Sequence, residues 1–267
     1  MLPLPAVRTT ADAAAALSAA GAFALAPGLV DAGILVHLDG WLLASVKAHR
    51  LAGYTVRQPR RRGYPMLLLG DGGGAVAAAV GAMARGLGSA VAPGAVLAEL
   101  GAFVVSPGAD AQELHPDRTE GGYVSSSAID TPGVDAGGLV LWPGSLRAVF
   151  RDRAPSLLAA GVIPALQMPD QRAGAIVCYE RRVWHHGQRH VGTSSADEPR
   201  RVLYFTAALP GEGGLNEGAL HPRLCCLPLR HAPPVRMEAL QRNASWFMCT
   251  TTVTARESSG CSGSTGG

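Results

Sequence analysis

His115-Pro116-Asp117 is the first group in this chain whose residue types and spacing could do chemistry. It follows the apolar run Ala102–Val105 and a Pro107-Gly108 turn, and Gln112 stands just before it. In an extended segment, side chains two apart point to the same side. Pro116 holds the chain between them extended. An imidazole and a carboxylate so placed can reach a single metal ion. A second triplet, His37-Leu38-Asp39, lies in a stretch whose apolar residues Ile34, Leu35, Leu38, Leu42, Leu43 and Val46 recur at helical spacing. Residues two apart on a helix diverge, so His37 and Asp39 are expected as surface groups flanking a buried Leu38.

A third donor must come from elsewhere in the chain. The segment GAIVCYERRVWHHGQRHVG (174–192) offers His185, His186 and His190, between two apolar strand-like runs. Two histidines and one carboxylate on one face, with open positions, form the donor set of non-haem Fe(II) oxygenases. A structural zinc site would instead be closed by four ligands. The five cysteines (Cys178, Cys225, Cys226, Cys249, Cys261) contain no C-x-x-C pair and suggest a reduced interior.

The elements that must position these groups are legible in outline. Helices are expected over 11–20, 31–50 and 75–87, with a short strand at Phe23–Ala26 and a turn near 94–101. From residue 102 onward, short β-type runs alternate with turn signals: AFVV, YVSSSAI, GLVLW, AIVCYE and RVLYFTAAL. This texture suggests a sandwich or barrel of the jelly-roll kind. The run RQPRRR (57–62) reads as a solvated, proline-containing loop. Gly70-x-Gly72-x-x-Ala75 has the outline of a dinucleotide-binding turn. No βαβ alternation or downstream acidic strand end supports it, so a plain Gly-rich loop is expected.

The totals exclude several classes. The chain has 267 residues, 48% hydrophobic, with 16% charged and a formal net charge of +3. That supports one sizeable core and gives no reason to expect nucleic acid as a partner. The longest uncharged run is broken by Gly21, Pro27 and Gly28, and no basic region precedes an apolar stretch near the start. A soluble, cytoplasmic protein without a membrane span is expected.

Three stretches together resemble the phytanoyl-CoA dioxygenase family of Fe(II)- and 2-oxoglutarate-dependent oxygenases. SPGADAQELHPD is similar to that family's PG…Q-x-x-H-x-D segment. AGGLVLWPGS (136–145) is similar to its G-x-L-x-x-x-PGSH segment, with Leu146 in place of the final histidine. GAIVCYERRVWHHG…TSSADEPRRVLYFTA is similar to its distal histidine, following arginine and strand. The resemblance covers roughly residues 15 to 209, in the family's order.

It implies an α+β fold, mainly β: a double-stranded β-helix (jelly roll, cupin-like) preceded by N-terminal helices. That domain would span 1–210, with a C-terminal extension over 211–267 and a low-complexity tail from about 256. The resemblance implies His115, Asp117 and His185 as iron ligands. His185 stands at the family's spacing from Gly174, and His185-x-Gly187 also fits. Gln112, Thr193 and Arg200 are implied as contacts of 2-oxoglutarate, Arg200 gripping its far carboxylate with two parallel bonds. Thr193 and Ser194 stand where the family has an asparagine. Arg201 should face the other way, and Arg182 reads as an ordinary charged strand residue. The implied reaction oxidises a small organic substrate with dioxygen, releasing succinate and CO2. The segment from Asp117 to Pro143 is shorter than the family's. Two alternatives follow: a jelly-roll protein that binds a ligand without turnover, and a metal-dependent cupin enzyme without 2-oxoglutarate.

Overall fold

The computed structural model describes residues 2–3, 6–7, 10–25, 28–48, 54–56, 58–65, 73–87, 95–117, 123–128, 137–142, 145, 156, 166–167, 172–192 and 198–208. The expected extension from 211, Thr193, Ser194, and all cysteines except Cys178 lie outside the described residues. Among those described, no helix is long and apolar enough to cross a membrane.

Three helices cover one face of the larger of two sheets. They are α1 (Thr10–Ala20), α2 (Ala32–Lys47) and α3 (Gly73–Leu87). Asp31 caps α2, its carboxylate accepting from the N–H groups of Gly33 (2.8 Å) and Ile34 (3.3 Å). The helical spacing of Leu35, Leu38 and Leu42 places all three in the core, while His37 is exposed. Each such side chain contributes roughly 1.5–3 kcal/mol on burial. In α3, small residues allow close approach, and Val76, Val80, Met83 and Leu87 are wholly buried.

The strands are β1 (Leu2–Pro3), β2 (Ala6–Val7), β3 (Ala22–Leu25), β4 (Tyr54–Val56), β5 (Gln58–Pro65), β6 (Val96–Val105), β7 (Tyr123–Ala128), β8 (Leu139–Trp142), β9 (Leu166–Gln167), β10 (Ile176–Glu180), β11 (Trp184–Gly187) and β12 (Arg200–Ala208). Eight of them form one sheet in the order β2-β3-β10-β7-β12-β6-β5-β4. Four form the other, β1-β9-β8-β11. All pairings are antiparallel except the short β1–β9 and β2–β3 contacts.

Alternation along the strands builds two cores. Phe23, Leu25, Ile176, Cys178, Leu203, Phe205 and Ala207 pack under the helices. Their neighbours Ala22, Ala24, Ala175, Val177 and Tyr179 pack with Leu141 of the smaller sheet. The molecule is therefore layered as helices, large sheet and small sheet, and the second core lies between the sheets. Cys178 is a free, buried thiol on the helix side, and burial pushes its pKa up.

Two expectations are corrected here. From Val96 onward the supposed turn at 94–101 is the first half of β6, which pairs with β12 back to Ala208↔Val96; residue 94 lies outside the described residues. The supposed basic loop 57–62 falls largely in β5, whose Arg61–Pro65 pair with β6. Pro59 and three arginines masked the strand, but Pro59 lies before the stretch that pairs with β6, where its missing N–H costs no bond there. The fold around α3 also disposes of the dinucleotide outline. α3 joins β5 and β6, which are antiparallel neighbours, so no parallel crossover exists there.

Candidate metal centre

The segment after β6 leaves the large sheet at Gly108, whose φ of 73° requires a glycine. It then runs beside β11 as an irregular extra strand. His190 N–H donates to Ala109 O (2.8 Å), and Gln112 N–H donates to Gly187 O (2.9 Å). His115 and His185 exchange both backbone hydrogen bonds, at 3.0 and 2.8 Å. Asp117 N–H donates to Arg181 O (2.9 Å). This ladder sets His115 and His185 directly opposite one another, with ring centroids 4.5 Å apart.

The side chains converge from there. One donor atom each of His115, Asp117 and His185 lie within 4.8 Å of one another, a set that could hold a metal ion. Asp117 Oδ1 is 3.5 Å from His185 Nε2 and 3.9 Å from His115 Nε2. Both imidazoles are buried, at 8% and 3% exposure. His115 Nδ1 is 2.6 Å from Glu113 O, and His185 Nδ1 is 2.9 Å from Val183 O. A carbonyl only accepts, so each Nδ1 carries a proton, and each Nε2 is the ring atom turned toward Asp117. Burial pushes the Asp117 carboxyl up, but the two histidines and the Tyr179 hydroxyl outweigh it and hold it at about 2. The aspartate is thus an anion wherever the protein is folded near neutrality.

Tyr179 was not among the groups singled out by sequence. Its hydroxyl donates to Asp117 Oδ2 at 3.2 Å, and its ring lies 4.8 Å from that of His185. One carboxylate oxygen is held by tyrosine while the other faces the histidines. Alternation with Val177 in AIVCYE was the available signal. Tyr179→Phe keeps the ring packing and frees Oδ2. Metal affinity, measured by calorimetric titration, should fall about tenfold, as for loss of other partners of a ligand. An unchanged affinity would leave Tyr179 a packing residue only.

The other histidines are elsewhere. His186 alternates to the opposite face of β11, with its ring 5.4 Å from Trp142. Burial lowers its pKa in spite of a hydrogen bond to the Gln112 backbone. His190 lies beyond β11, its Nε2 3.0 Å from Glu198 O. Of the groups implied for 2-oxoglutarate, Gln112 reaches the site's edge, where its Oε1 accepts from Gly187 N–H (2.9 Å). A Cβ on Gly187 would stand 2.7 Å from that oxygen and 2.8 Å from Arg61 Nη1, which explains the glycine two positions after His185. Arg200 is buried at the start of β12, opposite Val105. Arg201 turns to the helix layer, where its Nε is 2.5 Å from Asp39 Oδ1. Alternation therefore puts Arg200 on the inter-sheet face. Arg182 lies in the β10–β11 turn and pairs with Glu180.

No protein-family profile matches the chain, and no curated protein matches it in sequence. Solved structures do share its fold. The non-heme alpha ketoglutarate dependent epimerase SnoN from nogalamycin biosynthesis superposes with a TM-score of 0.64 at 19% identity, over 85% of this chain and 92% of its own. SnoN is also known in complex with Fe3+, alpha ketoglutarate and nogalamycin RO. HygX from Streptomyces hygroscopicus, with nickel and 2-oxoglutarate bound, gives 0.58 at 15% identity, over 82% and 95%. A Pseudomonas putida prolyl-4-hydroxylase gives 0.53 at 13% identity, over 76% and 100%.

Proposed function

We propose that this chain is an Fe(II)- and 2-oxoglutarate-dependent oxygenase of the phytanoyl-CoA dioxygenase kind, built on a double-stranded β-helix and acting on a small organic substrate. The observation that carries this reading is the His115–Asp117–His185 set, with both Nδ1 atoms tied to carbonyls and both Nε2 atoms turned to one carboxylate oxygen. Enzymes sharing the fold have been crystallised with Fe3+ or nickel and with 2-oxoglutarate, which supports the cofactor assignment.

His115, Asp117 and His185 would hold the metal by one face, leaving positions open for ligands. The chemistry supplied there is activation of dioxygen coupled to conversion of 2-oxoglutarate to succinate and CO2. The chain's own residues bind and orient. Arg200, desolvated on the inter-sheet face, would grip the far carboxylate of the co-substrate with two parallel bonds. Gln112 would steady it from the edge of the site, and Thr193 is assigned to the same role.

The test is succinate release. Protein loaded with Fe(II) and 2-oxoglutarate without oxygen, then exposed to it, should form succinate slowly alone and faster with a fitting substrate from a metabolite panel. Metal-bound protein that consumes no 2-oxoglutarate across the panel would reject the reading in favour of a binding protein or a cupin enzyme.

A further inference from the structure

Arg61 is a cation at the edge of the candidate metal site with no ion-pair partner among the described residues; the acid whose charge it feels, Asp110, is exposed. It lies on β5 and is only 3% exposed. Its Nη2 donates to the carbonyl oxygens of Asp110 (2.8 Å), Gly187 (3.3 Å) and Gln188 (2.6 Å). Those bonds tie the His115-bearing segment to the end of β11. They soften the desolvation but supply no negative charge. Nε is buried without a hydrogen bond, and Nη1 makes none among the described residues.

The direction of Nη1 is informative. It lies 2.8 Å from where a Cβ on Gly187 would stand. Residues two apart on a strand share a face, so Nη1 is on the face of β11 that carries His185. The large sheet agrees. Arg61 and Arg200 are both cross-strand partners of Val105, and partners directly opposite share a face. Burial lowers the Arg61 pKa to about 10, with Asp110 opposing, so the guanidinium is charged at neutrality.

Within the proposed oxygenase site the charge count would leave Arg61 over, with only the exposed Asp110 to offset it in part. The metal's two charges would be met by Asp117 and one carboxylate of 2-oxoglutarate, and Arg200 would meet the other carboxylate. A buried guanidinium with only carbonyl partners is costly, and an incoming anion relieves that cost. We propose that Arg61 receives a carboxylate of the substrate, so that the site selects organic acids. The inference rests on the oxygenase reading.

Full-length protein loaded with Mn(II) is first titrated with 2-oxoglutarate, then, saturated with it, with phenylacetate and with its neutral counterpart phenylacetamide. Binding is read by calorimetry. Wild type should bind phenylacetate at least tenfold more tightly than the amide. Arg61→Gln should abolish that preference while shifting 2-oxoglutarate affinity less than threefold, and Arg61→Lys should keep part of it. The wild-type comparison stands even if a variant fails to fold. No acid preference in wild type, or an undiminished one in Arg61→Gln, overturns the proposal. A tenfold or greater loss of 2-oxoglutarate affinity in Arg61→Gln also overturns it and assigns Arg61 to the co-substrate. Failure of wild type to bind 2-oxoglutarate at all appears in the first titration. That result rejects the oxygenase reading itself, and this inference with it.

Discussion

Alanine at His115, Asp117 or His185 should abolish stoichiometric metal binding, while alanine at His37, His186 or His190 should leave it intact. The three candidate donor atoms come from two segments distant in sequence, set opposite one another by the His115–His185 backbone pairing and the hydrogen bonds that flank it. Losing an outer partner of a metal ligand typically costs 10–100-fold in affinity, so losing a ligand should exceed that range. Turnover should disappear with the metal. His37 is exposed on α2, on the far side of the large sheet. His186 faces Trp142. His190 is bonded to Glu198 O, so its removal should lower stability by about 1 kcal/mol without touching the metal. Metal titration of the six variants is the measurement. Normal affinity in His185→Ala would remove it from the site, and equal loss in all six would mean that general unfolding, not ligation, was measured.

Arg200→Lys should weaken 2-oxoglutarate by about ten- to a hundredfold and leave metal binding unchanged. Lysine keeps the charge but loses the planar, two-pronged grip, and a hydrogen bond to a charged group is worth roughly 1.5–3 kcal/mol. Arg201→Lys is the matched control. Its guanidinium is engaged by Asp39 of α2 and by Glu198 just ahead of β12, so the change should appear in thermal stability and not in co-substrate affinity. Weakened 2-oxoglutarate in Arg201→Lys alone would exchange the roles of the two arginines. No effect in either would withdraw the co-substrate assignment.

Much of the architecture was legible locally. The helical spacing of Leu35, Leu38 and Leu42 and the two-residue alternation of Ile176–Tyr179 and Leu203–Ala207 each state which residues turn to a core. The same local geometry separated the two His-x-Asp triplets, because a helix splits such a pair and an extended segment aligns it. Backbone stereochemistry acts within a few residues, so nearby sequence suffices to read it.

What tertiary structure alone decided are the meetings between distant segments. Alternation separates His185 from His186 without saying which one faces a partner. The backbone pairing of His185 with His115 decides that. Tyr179 reads as one more strand aromatic until β10 brings its hydroxyl to Asp117. Arg61 reads as part of a solvated basic run until the pairing of β5 with β6 turns it inward and leaves Arg62 exposed. Register is set by cooperative hydrogen bonding and burial over whole sheets, and one residue of slip would reverse every face. Local sequence carries a strand's period, but which of its two faces meets the candidate metal site is settled only when the sheets pack on one another.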